Sequence, residues 1–278
     1  MYDIIYIGGG LNYAGAIVAA KKGLKVALIE TSLDQLGGAC LHKGCIPSKM
    51  FLHHANTIRQ SKESMFAGEI MLDMQVLTAK KNKLIASATK AVTAQCAQIE
   101  LIEGKGYVIA PHKVEVEGKV YEGEYIVMGT GSSPFIPEGI AYDGRAIITS
   151  NEVLELQKLP KDIAIYGDGA IGLEMACFFS SAGVKVTLLS RGESILGKAH
   201  PLIQSAMVKE LERLDIIHLT KHTVTNAEQT DKGVHITFTD GTSGYYEQML
   251  VATGRQPNTE VVATEEIVVN RGIERPVF

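Results

Sequence analysis

The chain has 278 residues, 46% of them hydrophobic and 21% charged, which suits two ordinary globular domains, each with its own core. A formal net charge of −4 carries no basic excess and argues against nucleic acid or an acidic membrane as a partner. Four cysteines are too few for a disulfide scaffold, no stretch approaches the roughly 18 apolar residues of a membrane span, and no export signal opens the chain, so a cytoplasmic protein with one redox pair is expected.

From the N-terminus, Asp3–Ile7 reads as an apolar strand running into Gly8-Gly9-Gly10. A helix of small residues follows over about 12–22, then a second strand over Lys25–Glu30. Strand, glycine turn, helix and strand make half of a dinucleotide fold. Gly8 permits the tight turn, and Gly10 lets the backbone approach a pyrophosphate at the helix N-terminus. Glu30 lies 22 residues after Gly8, close to the roughly 20 expected of an acid that binds a ribose. The third glycine of G-x-G-x-x-G is replaced by Tyr13, with Gly15 the nearest glycine, which shortens the expected turn and assigns Tyr13 to helix packing.

The stretch Gly37–Lys49 holds Cys40 and Cys45 with four residues between them. Cys45 stands at a helix start, where unpaired backbone N–H groups and the positive end of the dipole stabilise a thiolate. That helix is expected to continue through Lys49 to about Gln60, and His53 and His54 read as ordinary helix histidines. Cys96 and Cys177 lie in apolar, helix-like surroundings and read as core fillers. A long helix is expected over about 72–98, followed by short strands at 99–102, 106–109 and 113–116. Tyr125–Met128 then leads into Gly129-Thr130-Gly131-Ser132-Ser133-Pro134, a segment that turn chemistry alone would also explain.

Beyond a linker containing Pro134, Pro137 and Pro160 a second dinucleotide unit begins. Asp162–Tyr166 is a strand, and Gly167-Asp168-Gly169-Ala170-Ile171-Gly172 opens a helix reaching about Ala182, with all three glycines in place. Lys185–Leu189 is the next strand. Where an NAD site usually has a carboxylate for the ribose 2′-hydroxyl, this chain has Ser190 followed by Arg191. A guanidinium suits a 2′-phosphate, which favours NADP(H) over NAD(H). A helix at about 202–213, strands near 215–219, 223–228, 233–239 and 243–246, and a second Thr-Gly segment at Ala252-Thr253-Gly254-Arg255 complete the pattern.

The Cys40-x4-Cys45 stretch, with Pro47-Ser48-Lys49 behind it, resembles the flavoprotein disulfide reductases, a family that includes dihydrolipoamide dehydrogenase, glutathione reductase and mercuric reductase. The resemblance implies an α/β chain with two Rossmann-like FAD/NAD(P)-binding domains of glutathione-reductase type, truncated at the C-terminus. Residues 1–147 would form the FAD-binding domain with the redox cysteines, 148–260 the NAD(P)-binding domain, and 261–278 the start of a return to the first. In such an enzyme a hydride passes from nicotinamide to flavin and two electrons pass on to the disulfide. Cys45 would be the thiolate facing the flavin and Cys40 the thiol exchanging with substrate. Lys49, one helical turn beyond Cys45, would place its ammonium near the flavin and pair with Glu174 across the domain boundary. The resemblance adds Gly8, Gly10, Glu30, Gly38, Gly106, Thr130, Gly131 and Ser132 as FAD contacts. For the nicotinamide nucleotide it adds Gly167, Gly169, Gly172, Glu174, Ser190, Arg191, Val224 and Gly254.

The Ile46-Pro47-Ser48-Lys49 version looks most like dihydrolipoamide dehydrogenase, with a lipoyl dithiol as substrate, whereas Arg191 points to an NADPH-dependent relative of mercuric reductase. The family forms homodimers through a C-terminal domain that also brings a His–Glu acid/base pair to the partner's site. None of the eight histidines here stands in such a motif. Without that base, which contributes about 10²–10⁴-fold, the chain alone is expected to turn over poorly. A non-catalytic nucleotide-binding remnant is the alternative outside enzymology.

Overall fold

The computed structural model describes residues 1–62 and 65–267; the remainder of the expected return segment, 268–278, lies outside the described residues. In chain order the first elements are β1 (Tyr2–Ile7), α1 (Asn12–Lys21), β2 (Val26–Glu30), a 3-10 turn, α2 (Gly38–His42), α3 (Cys45–Ser61) and α4 (Met74–Gln95). Then come β3 (Glu100–Glu103), β4 (Gly106–Ala110), β5 (Lys113–Val116), β6 (Lys119–Met128), β7 (Ser132–Pro134), β8 (Ile147–Ile148) and α5 (Ser150–Val153). The last are β9 (Asp162–Tyr166), α6 (Ala170–Ser181), β10 (Lys185–Leu189), α7 (Pro201–Arg213), β11 (Ile217–Leu219), β12 (Val224–Thr230), β13 (Gly233–Phe238), β14 (Ser243–Tyr246), β15 (Gln248–Val251) and β16 (Arg255–Pro257).

The described residues divide into two compact units: those within 1–44, 84–133 and from 257 on form the first, and those within 45–83 and 134–256 form the second. In the first unit the sheet order is β3-β2-β1-β6-β5-β4. The four strands β3, β2, β1 and β6 run parallel, and β5 and β4 continue antiparallel as a meander. Both faces of β1 and β2 are covered, which is why they read as unbroken apolar runs rather than alternating ones. On one face Tyr6, Val26 and Leu28 pack with Ala16 and Ala19 of α1 and Val92 of α4. On the other, Ile5, Ile7, Ala27 and Ile29 meet Val108, Val114 and Val116. The period of two along a strand sorts these residues between the two cores.

The second unit repeats the scheme with different covers. Its sheet, β11-β10-β9-β15-β8, is parallel throughout. Ile163, Ile165, Val186, Leu188 and Leu250 face Leu173 and Phe178 of α6 and Leu211 of α7. Ala164, Tyr166, Met249 and Val251 face the antiparallel sheet β12-β13-β14 through Val224, Val234 and Ile236. Helix α3 belongs to this second core, a grouping that a boundary at 147/148 does not give. Its buried residues Pro47, Phe51, Ala55 and Ile58 recur at helical spacing. Phe51 meets Phe178 with ring centroids 5.3 Å apart. The first part of α4, up to residue 83, belongs to the same unit, where Lys81 is buried and donates to Leu154 O (2.9 Å) and to Glu155. Cys96 is buried in the first unit and Cys177 packs beside the core of the second; burial pushes both thiols up. No helix among the described residues is long and apolar enough to cross a membrane.

Candidate cofactor and redox site

In the second unit β9 ends at Tyr166 and the chain turns through Gly167, Asp168 and Gly169 into α6. Each glycine has its own reason. Gly167 has φ +118°, and a Cβ there would overlap the carbonyl of Ala252. A Cβ at Gly172 would overlap the carbonyl oxygen of Gly167, so its absence lets the first helical turn sit against the strand end. Gly169 is different: a Cβ would meet nothing within 4 Å. The open space is a cavity of about 260 Å³ lined by Tyr166, Gly167, Asp168, Gly169, Arg191 and Gly192 on one side and Ala252–Gly254 on the other. Asp168 turns one carboxylate oxygen to the backbone N–H of Leu196 (3.2 Å).

Arg191 lines this cavity and is exposed, but Ser190 does not line it. Ser190 is fully buried, and its hydroxyl lies 2.8 Å from His218 Nε2 on β11. Burial lowers the His218 pKa, with the Asp168 charge opposing. Val224 is buried as well, its N–H donating to Tyr166 Oη (3.3 Å), so it backs the cavity wall. Gly254, with φ +135°, lines the cavity and accepts from Phe135 N (3.0 Å).

The first unit builds its turn from the same parts. Gly8 has φ +95°, and a Cβ would overlap the carbonyl of Gly129. A Cβ on Gly38 would lie 2.5 Å from Gly10 Cα, so the start of α2 rests directly on the glycine turn. Gly37 N donates to Gly9 O (2.9 Å) and holds that contact. Glu30, at the end of β2, accepts from Gly9 N (2.5 Å) and Thr31 N (2.8 Å). Tyr13, at the place of the third glycine, is half-buried against the first core. Gly106 is buried in β4, where a Cβ would lie 3.1 Å from Ile29 Cγ2, a packing reason for glycine.

Sequence reasoning missed two clamps in this unit. Asn12 donates from its amide to Ile7 O (3.1 Å) and lies against Gly129, tying the helix start to two strand ends. Asn258 donates to Thr130 O (2.9 Å) and accepts from Thr130 Oγ1 (2.5 Å) and Ser133 Oγ (2.8 Å). Gly131 O accepts from Asn258 N (3.1 Å), and Ser132 opens β7 beside this clamp. An asparagine two to four residues after a glycine carries no sequence signal of its own; only its partners identify it.

One contrast unites the two turns. Helices α5 and α7 have side-chain caps, a Thr149–Glu152 capping box and His200 Nδ1 accepting from Leu202 N. Helices α1 and α6, which open at the glycine turns, have none. In α6 the first backbone N–H groups are therefore left for an anion, the arrangement a pyrophosphate needs, whereas in α1 Tyr13 N and Ala14 N already donate to Gly10 O (3.3 Å) and Leu11 O (3.1 Å). The residues present fit FAD or a nicotinamide nucleotide at each turn.

Cys40 lies on α2, Cys45 is the first residue of α3, and both are exposed. Pro47 falls in the first turn of α3, where its missing N–H costs no helical hydrogen bond. Lys49 follows Cys45 by one turn and is exposed. The expected pair between Lys49 and Glu174 is not formed: both stand in the second unit, on α3 and α6, and no ion pair joins them among the described residues. Partial desolvation pushes the Glu174 carboxyl up instead.

A sequence profile of the pyridine nucleotide-disulphide oxidoreductase family matches residues 2–275. A dihydrolipoyl dehydrogenase of Bacillus subtilis is 32% identical over 299 aligned positions, covering 98% of this chain and 63% of the relative. A mercuric reductase of Lysinibacillus sphaericus is 33% identical, covering 93% of this chain and 49% of the relative. The solved HOCl-induced flavoprotein disulfide reductase RclA of Escherichia coli superposes with a TM-score of 0.86 at 28% identity, over 97% of this chain and 60% of that one. The chain thus spans 63% and 49% of the length of these two curated relatives. With two uncapped glycine turns, a cysteine opening a helix and a family profile along nearly its whole length, this chain belongs to the pyridine nucleotide-disulphide oxidoreductase family.

Proposed function

We propose that this chain carries the FAD- and NAD(P)-binding part of a flavoprotein disulfide oxidoreductase, with Cys40 and Cys45 as its redox pair. The observation that carries this reading is that two glycine turns open helices without side-chain caps while a third helix opens on Cys45. In this reading Gly8, Gly10, Glu30, Gly38, Thr130, Gly131 and Ser132 hold FAD. Gly167, Gly169, Gly172, Arg191 and Gly254 hold the nicotinamide nucleotide. FAD, when bound, couples two-electron transfer between a nicotinamide nucleotide and a dithiol.

The protein's own residues divide the remaining work. Cys45 is the sulfur beside the flavin, where the α3 N-terminus favours a thiolate. Cys40 exchanges with the substrate disulfide, its rate following its own thiolate fraction. Lys49 supplies a positive charge one turn along α3, and Glu174 contributes from the first turns of α6. The substrate class is a small dithiol/disulfide of dihydrolipoyl type, by likeness to the dihydrolipoyl dehydrogenase. The missing carboxylate after β10 and the exposed Arg191 support NADPH as the electron partner and favour a second reading, an NADPH-dependent enzyme like the mercuric reductase.

The visible spectrum of the purified protein tests this, before and after addition of NADH or NADPH under anaerobic conditions. A flavin spectrum that gains a long-wavelength thiolate–flavin band on reduction, lost in Cys45→Ser, is expected. Bound flavin with no such band from either nucleotide refutes the role given to Cys45. A colourless protein refutes the flavin reading. Turnover with lipoamide against Hg(II) separates the two substrate classes.

A further inference from the structure

The turn that opens α6 carries a charge that a pyrophosphate does not favour. Asp168 stands between Gly167 and Gly169 on the wall of the cavity, and no ion pair neutralises it among the described residues. One of its carboxylate oxygens accepts from Leu196 N (3.2 Å), which orients the group and leaves its charge in place. In a cleft partly shielded from water, repulsion between that charge and a bound pyrophosphate is stronger than in bulk solvent.

A titratable group stands close enough to answer it. The β10–β11 register pairs Leu188 with His218, so His218 stands on the same face of the sheet as Leu188, the face covered by α6 and α7. Ser190, two residues beyond Leu188, turns to that face as well and is fully buried. Its hydroxyl lies 2.8 Å from His218 Nε2 and can donate or accept, so it serves the imidazole neutral or protonated. The elements around His218 carry further charges: Glu174 on α6, and Lys209, Glu210, Glu212 and Arg213 on α7. Arg191, Glu193, Lys198 and His200 lie between β10 and α7, and Asp215, Lys221 and His222 flank β11. Glu210 pairs with Arg213 and Glu193 with Lys221, and among the described residues Asp168 is the charge that acts on His218. Burial favours the neutral imidazole, and Asp168 opposes that effect.

We propose that His218 is a positioning residue for the nucleotide, acting through Asp168: a proton taken up by its imidazole offsets the Asp168 carboxylate, so that protonation of His218 and binding of a pyrophosphate favour each other. The proposal rests on reading the second unit as the nicotinamide-nucleotide unit. A bound pyrophosphate adds negative charge beside a neutral imidazole and so favours its protonated form. Linkage is reciprocal, and protonation tightens the ligand by the same factor. Affinity therefore rises as pH falls below the ordinary histidine value of 6.5, and binding takes up a fraction of a proton.

The test is a calorimetric titration of the full chain with ADP-ribose between about pH 7.5 and 5.5, the range in which histidine titrates. This ligand carries the pyrophosphate and, unlike NADPH, no 2′-phosphate with an ionisation of its own in that range. Wild type should bind about 3- to 10-fold more tightly at the lower pH, the effect of half to one pKa unit, and its binding heat should differ between buffers of high and low ionisation heat. His218→Gln, which keeps a polar partner for Ser190, should flatten the change to less than about 1.5-fold. Asp168→Asn, which keeps an acceptor for Leu196 N, should tighten ADP-ribose about threefold at the higher pH. If affinity is independent of pH, if its pH dependence survives His218→Gln, or if Asp168→Asn leaves it unchanged, the proposal fails alone. If wild type binds no ADP-ribose at any pH, the reading of the second unit fails and takes the proposal with it.

Discussion

The glycines of the second turn separate folding from binding, which makes a sharp test. In Gly169→Ala the backbone is already extended (φ −76°, ψ −177°), a conformation any residue adopts, and the new methyl meets no protein atom within 4 Å. Stability should change by less than about 0.5 kcal/mol, or rise slightly because the unfolded chain loses freedom. The same methyl points into the space that a pyrophosphate would fill beside Gly167, Asp168 and Arg191. Nucleotide affinity should therefore fall about 10- to 100-fold, equivalent to roughly 1.4–2.8 kcal/mol. Gly172→Ala should do the reverse. Its Cβ would overlap the Gly167 carbonyl oxygen and lie 3.0 Å from the carbonyl carbon, both backbone atoms that cannot swing away. Overpacking of that kind costs about 1–3 kcal/mol or more. The chain has no tryptophan, so urea unfolding is best followed by circular dichroism, and the nucleotide's own fluorescence then reports binding without interference. Equal losses of stability in the two variants, or full nucleotide binding by Gly169→Ala, would refute the assignment of separate roles.

Three further outcomes are expected. Gly38→Ala, at φ +62° and with its Cβ 2.5 Å from Gly10 Cα, should destabilise the first unit by about 2 kcal/mol and remove any bound flavin, read from unfolding curves and from absorbance. Lys81→Met keeps the apolar stem but leaves the buried Leu154 carbonyl without its donor, so urea unfolding should show a loss of about 1–3 kcal/mol. Because burial lowers the His218 pKa, the unfolded chain takes up that proton first: stability is full above the ordinary value of 6.5 and declines as pH falls through the folded value. His218→Gln should remove that part of the pH dependence of the unfolding midpoint between pH 7 and 5, and an unchanged slope would show that another group carries it.

The local pattern was enough for the repeated scheme. Apolar runs of five residues ending in glycine, followed by small-residue helices, can satisfy their backbones and bury both faces only as parallel strands with helical cover, so β1–α1–β2 and β9–α6–β10 were legible in the sequence. The cysteine stretch with Pro47 and Lys49 likewise marked the start of α3, because proline and the dipole both act within a single helical turn. What required the tertiary structure was every partnership between residues distant in the chain. Ser190 looked like a ligand of the ribose until the neighbouring strand β11 brought His218 to its hydroxyl. Glu174 and Lys49, expected to pair, stand on α6 and α3 without an ion pair between them, since the rotation of each helix is set by which face its apolar residues bury. Asn258 carried no signal at all, because a hydrogen bond across 128 residues of chain is determined by the packing of sheets and not by sequence spacing. The positions of Cys40 before, and Cys45 at, the start of α3 were legible because their spacing is local. Which residues surround each helix and turn is a matter of long-range packing, and that only the folded chain decided.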